Sequence, residues 1–440
     1  MRKILPCALT VFLLSLLAGG CGSETENDML EAGTAATLQT GDALNDQIVK
    51  FELTITSITL TGTAGTSNTA NLLRRAGEVE FTHQAGTFQP LSLVRIPPGT
   101  YSGATMTVSN PEVVAIIGGV PAKLTASLSS ATVTIPFNPS ITVGTSPLLI
   151  NLNIDLPNSI TITSSNATVA PTFKVSTSTV ADQNNQDDSD GGIEDAHGIV
   201  SDITAPNFTI QTESARFVFA TDSNTVFQAG LSQLSDLTIG EILEVDGVTR
   251  SDGTRLATTV SLESNSNGEE VEGIISALDS PLTTITVVHQ LDSTGASSEP
   301  VTVNVTVNAN TVFSVRPDRL NVTAAAFDAS HIGKGQRIEV EAANNTSPFV
   351  ATRIELREQA LLGTVAASPA PTSAGFTLNV SPASAFATLS GGVTSIPVTF
   401  ASGANLKATA TAGGNIRVRG LVFVNGGAYS MVAVLDDDNN

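Results

Sequence analysis

The sequence predicts an all-β protein in several domains, and three observations carry that prediction. The first is alternation: Val301-Thr302-Val303-Asn304-Val305-Thr306-Val307-Asn308 puts valines on one face of an extended chain and polar residues on the other. The second is composition, rich in Thr, Val and Ser; β-branched side chains, stiff at χ1, pack best on a pleated face. The third is that no long stretch repeats its apolar residues with a helical period. A further run sharpens the prediction. Phe51, Leu53 and Ile55 alternate with Glu52, Thr54 and Thr56, and Ile58 and Leu60 then continue in the opposite parity. One extra residue exchanges the two faces of a strand, so a β-bulge is expected near Thr56-Ser57.

The N-terminus reads as an address. Arg2 and Lys3 precede the apolar run Ala8 to Ala18, too short to cross a bilayer core, which takes roughly 20 apolar residues. Leu17-Ala18-Gly19-Gly20-Cys21 then resembles the bacterial lipobox, with Ala18 where leucine is commonest. In that motif small residues lie flat in a peptidase groove and the cysteine thiol takes a diacylglyceryl group. Residues 1–20 are therefore expected to be a lipoprotein signal peptide and Cys21 the lipidation site. Stable anchoring takes two or more acyl chains, which a fully acylated Cys21 would supply. The alternative is an ordinary secretory signal that happens to contain a cysteine. Residues 21–37, opening with Gly22-Ser23-Glu24-Thr25-Glu26-Asn27-Asp28, read as a flexible polar tether. Gly22 rather than Asp after the cysteine resembles the sorting signal for an outer membrane, where the host has two membranes. Of the two cysteines, Cys7 leaves with the signal, so neither a disulfide framework nor a Cys metal site is expected.

Charge narrows the partners. Lys and Arg number 20 against 41 Asp and Glu, a formal net charge of −21. Such a surface repels phosphate backbones, which argues against nucleic acid. It also repels anionic head groups, so the expected membrane contact is the lipid on Cys21. A transmembrane β-barrel would need aromatic girdles, and aromatic residues make up 4% of the chain.

Residues 38–180 read as an N-terminal domain. Residues 181–195 read as an acidic linker, because Ala181 to Gly192 (ADQNNQDDSDGG) has no periodicity and is dense in turn formers. The rest repeats, as units at 196–264, 269–358 and 360–436. His197-Gly198, Glu272-Gly273 and Leu362-Gly363 open them. The first two share a tetrapeptide, Asn224-Thr225-Val226-Phe227 and Asn310-Thr311-Val312-Phe313. Each then shows a glycine before an alternating strand: Gly240 to Gly247, Gly333 to Glu341, and Gly413 to Gly420. Each closes on another apolar strand. The third unit is the most degenerate and lacks the Asn-Thr-Val-Phe mark. About five strands per unit with a glycine corner suit a small closed barrel of OB-like type, which removes exposed sheet edges.

These marks resemble a bacterial family of domains of unknown function that occurs in tandem in lipoproteins. The region before the linker resembles a second such family, on Val49 to Leu60, Pro90 to Tyr101 and Leu148 to Val175. It departs at Gly41-Asp42-Ala43-Leu44, where that family carries a proline. Together the resemblances imply a β-sandwich followed by three tandem small OB-like β-barrels, and they bring no established activity.

Chemistry is sparse in the sequence. His83, His197, His289 and His331 have no second His or Cys at ligand spacing, and each is expected at the surface or a strand end. No Gly-x-Ser-x-Gly elbow, phosphate loop or dinucleotide fingerprint occurs. Asp187-Asp188-Ser189-Asp190-Gly191-Gly192 is the best loop for a hard cation. The EF-hand frame fails there, because Gln186 and His197 fall where the first Asp and the last Glu belong. It reads as a solvated linker, and Asp436-Asp437-Asp438 as a frayed acidic tail. The phenylalanines at 217, 219, 227 and 313 lie on apolar alternation and are expected in cores rather than on glycan platforms. No catalytic residue, cofactor or metal ligand is assigned. The expected function is a lipid-anchored envelope protein with a structural, spacer or binding role, its protein or glycan partner unassigned. The alternatives are a calcium-dependent adhesion or glycan-binding surface protein, and an envelope hydrolase built from dispersed carboxylates.

Overall fold

The computed structural model describes residues 33–43, 47–73, 75–84, 89–180, 192–212, 215–250, 252–264, 269–292, 300–315, 327–406 and 410–437. Cys21, the signal and the loop Asp187 to Gly191 lie outside them. The fold class is as expected: all-β, with stacked sheets followed by small closed barrels.

The N-terminal region runs through β1 (Thr34–Ala43), β2 (Ile48–Gly62), β3 (Gly77–Glu80), β4 (Gln89–Ile96), β5 (Gly99–Ile117), β6 (Val120–Lys123), β7 (Thr125–Leu128), β8 (Thr132–Val143), β9 (Leu148–Asp155), β10 (Ile160–Thr163), β11 (Asn166–Val169) and β12 (Phe173–Thr179). One sheet is ordered β12-β9-β1-β4; a second is ordered β3-β2-β5-β6 with β8 on β5; β10, β11 and β7 form a third. Leu38, Ile150 and Ile154 of the first sheet and Phe51, Leu53 and Met106 of the second meet in one core. The bulge lies where the parity shift put it. The β2–β5 register passes from Ile55↔Val108 to Ser57↔Thr107, and Ile55, Ile58 and Leu60 all stay buried. Two expected boundaries move. β1 begins at Thr34, inside the stretch read as tether, because β4 and β9 pair with it on both sides. Likewise Gly192 to Asp195, read as linker, belong to the first barrel strand.

Barrel 1 comprises β13 (Gly192–Thr204), β14 (Asn207–Gln211), β15 (Arg216–Ala220), β16 (Val226–Gln228), β17 (Ile242–Thr249) and β18 (Arg255–Ser264). Barrel 2 repeats it as β19 (Glu269–Leu278), β20 (Thr284–Asp292), β21 (Thr302–Thr306), β22 (Val312–Val315), β23 (Arg337–Ala342) and β24 (Phe349–Leu356). Barrel 3 comprises β25 (Gln359–Val365), β26 (Gly375–Val380), β27 (Ser395–Leu406), β28 (Asn415–Asn425) and β29 (Ala428–Asp437). In each, the third long strand closes on the last one in parallel, giving the order first, second, third, fifth, fourth and back to the first. Asp436 and Asp437 belong to β29, paired with Val418 and Arg417, and so are not a frayed tail.

The repeat marks have mechanical reasons. A Cβ on Gly198, Gly273 or Gly363 would lie 3.0, 1.9 or 2.4 Å from a carbonyl oxygen of the second strand (Gln211, Val288 or Asn379), so the backbones cross where a side chain has little or no room. In the shared tetrapeptide, the Thr225 and Thr311 hydroxyls donate to the carbonyls of Ala257 and Ala351 on the closing strand, at 2.8 and 3.0 Å. Asp222 and Asn308 begin the matching Asx turns. Barrel 3 lacks the mark because its longer β27 pairs with β29 directly. Val303, Val305 and Val307 are buried, as their alternation required. Phe217 and Phe219 are also buried, and Phe227 and Phe313 are half-buried against their cores.

Candidate functional site

Alternation that fills each barrel also decides what its outer wall carries. On β17, Leu243 and Val245 point inward, so Glu244 points out; on β23, Ile338 and Val340 point inward, leaving Arg337, Glu339 and Glu341 outside. Val271 fills barrel 2 and leaves Glu270 and Glu272 outside, and Ile354 and Leu356 do the same for Arg353, Glu355 and Arg357. Pairing sets Glu272 opposite Glu339, and Glu339 opposite Glu355. Directly opposed like charges are destabilising, so this row of carboxylates needs cations between its members.

Docking of barrel 1 on barrel 2 buries the row. Glu244, Glu263, Glu270, Glu272, Glu339 and Glu355 are all buried, as are Arg337 and Arg357. Arg357 is the hub: Nη1 lies 2.8 Å from Glu339 Oε2 and 3.5 Å from Glu244 Oε2 of the other barrel, and Nε lies 3.5 Å from Glu272 Oε1. Arg337 Nη2 adds a 2.7 Å contact to Glu272. Arg353 closes the rim on Glu341 at 2.8 Å. Six buried carboxylates against two buried guanidiniums leave excess negative charge. Burial first, then the neighbouring Glu263, Glu339 and Glu272, push the Glu270 carboxyl well above its ordinary 4.5. Burial, then Glu355, Glu272 and Glu263, does the same to Glu339. On the barrel 1 side, His197 Nδ1 contacts Glu263 Oε1. The free space lined by Glu244, Ser261, Glu270, Glu339 and Arg357 is about 10 Å³, room for one water or ion.

A second junction joins barrels 2 and 3 to the N-terminal sheets. Its centre is a single turn of 3₁₀-helix, Thr82–Gln84. Glu80 fixes this turn: Oε1 accepts from the Phe51 and Thr82 amides at 2.9 and 3.1 Å, and Oε2 from the His83 amide at 2.8 Å, with His83 Nδ1 also at 2.8 Å. Burial alone would raise the Glu80 carboxyl, yet the contacts with His83, Thr82 and the Phe51 amide hold it below 4.5. The turn presents the His83 carbonyl to two guanidiniums, Arg337 Nη1 at 3.2 Å and Arg419 Nη1 at 3.1 Å. Gln290 Nε2 donates to the Val49 carbonyl at 2.6 Å, and Gln336 Nε2 to the Val422 carbonyl at 2.9 Å. Val49, Val114, Val288, Ala385 and Leu389 add an apolar cluster across the same seam, the last two on the short helix α1 (Ala385–Leu389). The cavity here is about 80 Å³, well short of the several hundred Å³ of a small-molecule site.

Two of the histidines depart from expectation. His83 and His289 are buried, His83 in the turn that barrels 2 and 3 cover and His289 on the strand parity of Ile285 and Val287, which fill barrel 2. His331 sits half-buried on the exposed Asp328 at 2.9 Å. The residues of both junctions escaped the sequence reading, since no local spacing links His197 to Glu263 or His83 to Arg419.

Residues 197–261 and 272–355 match the family model of a domain of unknown function (DUF5666). The two matched stretches end within β18 and β24, so they correspond to barrels 1 and 2. A search of curated proteins returned no match. Solved structures with some likeness include Drosophila Unr CSD456, at 11% identity over 55% of this chain and 95% of that chain, with a TM-score of 0.13. Another is a multidomain protein with nucleic acid binding domains from Streptococcus pneumoniae tigr4, at 10% identity over 54% and 71%, with a TM-score of 0.12. Likeness at these scores bears on neither fold nor function.

Proposed function

We propose that this chain is a non-enzymatic, lipid-anchored cell-envelope protein, tethered through Cys21, whose barrels serve as a stiff spacer or protein-binding module. The observation that supports the reading is the junction at the His83 carbonyl. Arg337 of barrel 2 and Arg419 of barrel 3 both donate to that one atom of the N-terminal region. Charge-assisted bonds of this kind, shielded by an apolar cluster, hold the domains at fixed angles. Fixed angles suit a protein that must project a surface at a set distance from its anchor. The membrane attachment rests on the lipobox-like run Leu17 to Cys21. In hosts with two membranes the outer one is the proposed site.

The test is mass spectrometry of the membrane fraction combined with protease shaving of intact cells. The expected result is a diacyl- or triacyl-modified peptide beginning at Cys21, and release of the protein into the soluble fraction by Cys21→Ser. An unmodified Cys21 thiol on a soluble wild-type protein would overturn the proposal. Shaving then tells a surface role from a periplasmic one.

A further inference from the structure

We propose that His197, Glu244 and Glu263 bind one divalent transition-metal cation, with Zn²⁺ as the reference ion, in the wall of barrel 1 that faces barrel 2. The three come from adjacent strands. His197 on β13 stands directly opposite Glu244 on β17. Glu263 on β18 falls at a register shift beside Leu243 and is carried to the same outer face. One donor atom from each lies within 4.8 Å of the others. Donors about 2.0–2.2 Å from a tetrahedral zinc ion stand about 3.4 Å apart, so binding parts His197 from Glu263 and draws the wider pairs together by side-chain rotation.

Two observations lift this group above a patch of acidic surface. Glu263 is 7% exposed, and its Oε2 has no hydrogen-bond donor among the described residues, while Oε1 rests on His197. A buried carboxylate oxygen without a donor needs a partner, and a cation held between Glu263 and Glu244 provides one. The donor set also includes an imidazole. Carboxylates alone favour Ca²⁺ or Mg²⁺, whereas imidazole with carboxylates favours borderline first-row ions. A neighbouring group, Glu244, Glu270 and Glu339, is equally close, but Arg357 already lies on Glu244 and Glu339. The guanidinium holds Glu339 at 2.8 Å and Glu244 only at 3.5 Å, so it competes with an ion chiefly on the Glu339 side, and the cation is assigned to the histidine side. Barrel 2 covers Glu244 and Glu263, so a loaded site neutralises the face on which barrel 2 docks. None of this depends on the lipid anchor.

The test is calorimetric titration of the chelator-stripped mature chain with ZnCl₂, MnCl₂ and CaCl₂, with bound metal counted after dialysis. The expected result is one equivalent of Zn²⁺ with a dissociation constant in the micromolar range or tighter, and much weaker Ca²⁺. Glu263→Gln and His197→Asn should each weaken Zn²⁺ by about tenfold or more, while Glu341→Gln at the rim should leave it unchanged. Zn²⁺ should also raise the melting point of barrels 1 and 2 in the wild type and not in Glu263→Gln. Glu263→Gln keeps shape and removes charge, and its circular dichroism verifies that it folds. Absence of bound Zn²⁺, equal binding of Ca²⁺, or full affinity in Glu263→Gln would each overturn the proposal.

Discussion

Replacing Arg357 by Met should loosen barrel 1 from barrel 2, by an amount that depends on pH. Arg357 is 5% exposed, and its guanidinium lies 2.8 Å from Glu339 and 3.5 Å from both Glu244 and Glu272. At an effective dielectric of about 20, those attractions are about 5–6 kcal/mol each. Desolvation of the ions offsets much of this, and removal of one partner from a buried pair typically costs about 3–5 kcal/mol. At about 2–4 °C per kcal/mol, the calorimetric transition of the two barrels should fall by roughly 10 °C near neutral pH. Acid should repair part of the damage. Glu270 and Glu339 have folded pKa values above the ordinary 4.5. A raised carboxyl adds stability that is fully present below 4.5 and is lost as pH rises through the folded value. The wild-type barrels should therefore weaken as pH rises across that window, and Arg357→Met more steeply. The assay is differential scanning calorimetry on both sides of the window, with hydrogen exchange at β17 and β23 to assign the transition. A loss below about 1 kcal/mol at neutral pH, the range of an exposed pair, or an equal loss at both pH values, refutes the assignment of Arg357 as the hub.

Gly273→Ala should disrupt barrel 2 by about 3 kcal/mol or more, because its Cβ would lie 1.9 Å from the Val288 oxygen; Gly198→Ala, with 3.0 Å, should cost clearly less. Comparable denaturant midpoints for the two would contradict this. Thr311→Val should cost about 1–3 kcal/mol, because the Ala351 carbonyl and the Asn308 amide lose a buried partner; an unchanged urea midpoint would show that the Asn-Thr-Val-Phe mark has another cause. Glu80 responds to pH in the opposite sense to Glu270. Its folded pKa lies below 4.5, so its contribution is present above 4.5 and is lost as pH falls through the folded value. Protection of the Thr82–Gln84 amides, corrected for the intrinsic pH dependence of exchange, should fall on acidification in the wild type, and should be low at all pH values in Glu80→Gln.

Much of the fold was legible because it depends on neighbours in sequence. The parity shift at Thr56 is a local event, and so is the glycine at which two strands cross. The start of β1 was not legible, because Thr34 to Ala43 becomes a strand only between β4 and β9, which arrive from distant parts of the chain. The junctions escaped for a different reason. Glu244, Glu339 and Glu355 occupy the polar parity of alternating strands, and on one barrel alone that parity means solvent. Burial follows only when a second barrel covers the same wall, and nothing in the period of either strand records that. His83 is the same case, since barrels 2 and 3 close over a turn that the N-terminal region alone would leave wet.

Comparison of the three barrels separates what makes the fold from what makes the docking. Leu243 and Val245, Ile338 and Val340, and Ile416 and Val418 fill equivalent inward positions and are all buried. The outward residues between and after them are Glu244 and Asp246, then Glu339 and Glu341, then Arg417 and Arg419. The register is the same in each case, with His197, Glu272 and Leu362 opposite the first of each pair. Barrel 3 has thus exchanged acidic for basic residues on this wall without altering its strand order, and its wall meets the N-terminal region instead of another acidic barrel. Arg419→Glu should therefore undock barrel 3 while leaving it folded. The change removes the bonds to the His83 carbonyl at 3.1 Å and to Glu358 at 3.2 Å, each worth about 1.5–3 kcal/mol when one partner is charged. It also sets two carboxylates side by side. Small-angle scattering should show a longer particle, and limited proteolysis should cut near Glu358, while the hydrogen exchange of β28 stays slow. An unchanged scattering profile would mean that the apolar cluster around Val49 and Leu389, with the bonds from Arg337, Gln290 and Gln336, holds the seam without Arg419, and that charge on the wall of barrel 3 does not choose its partner.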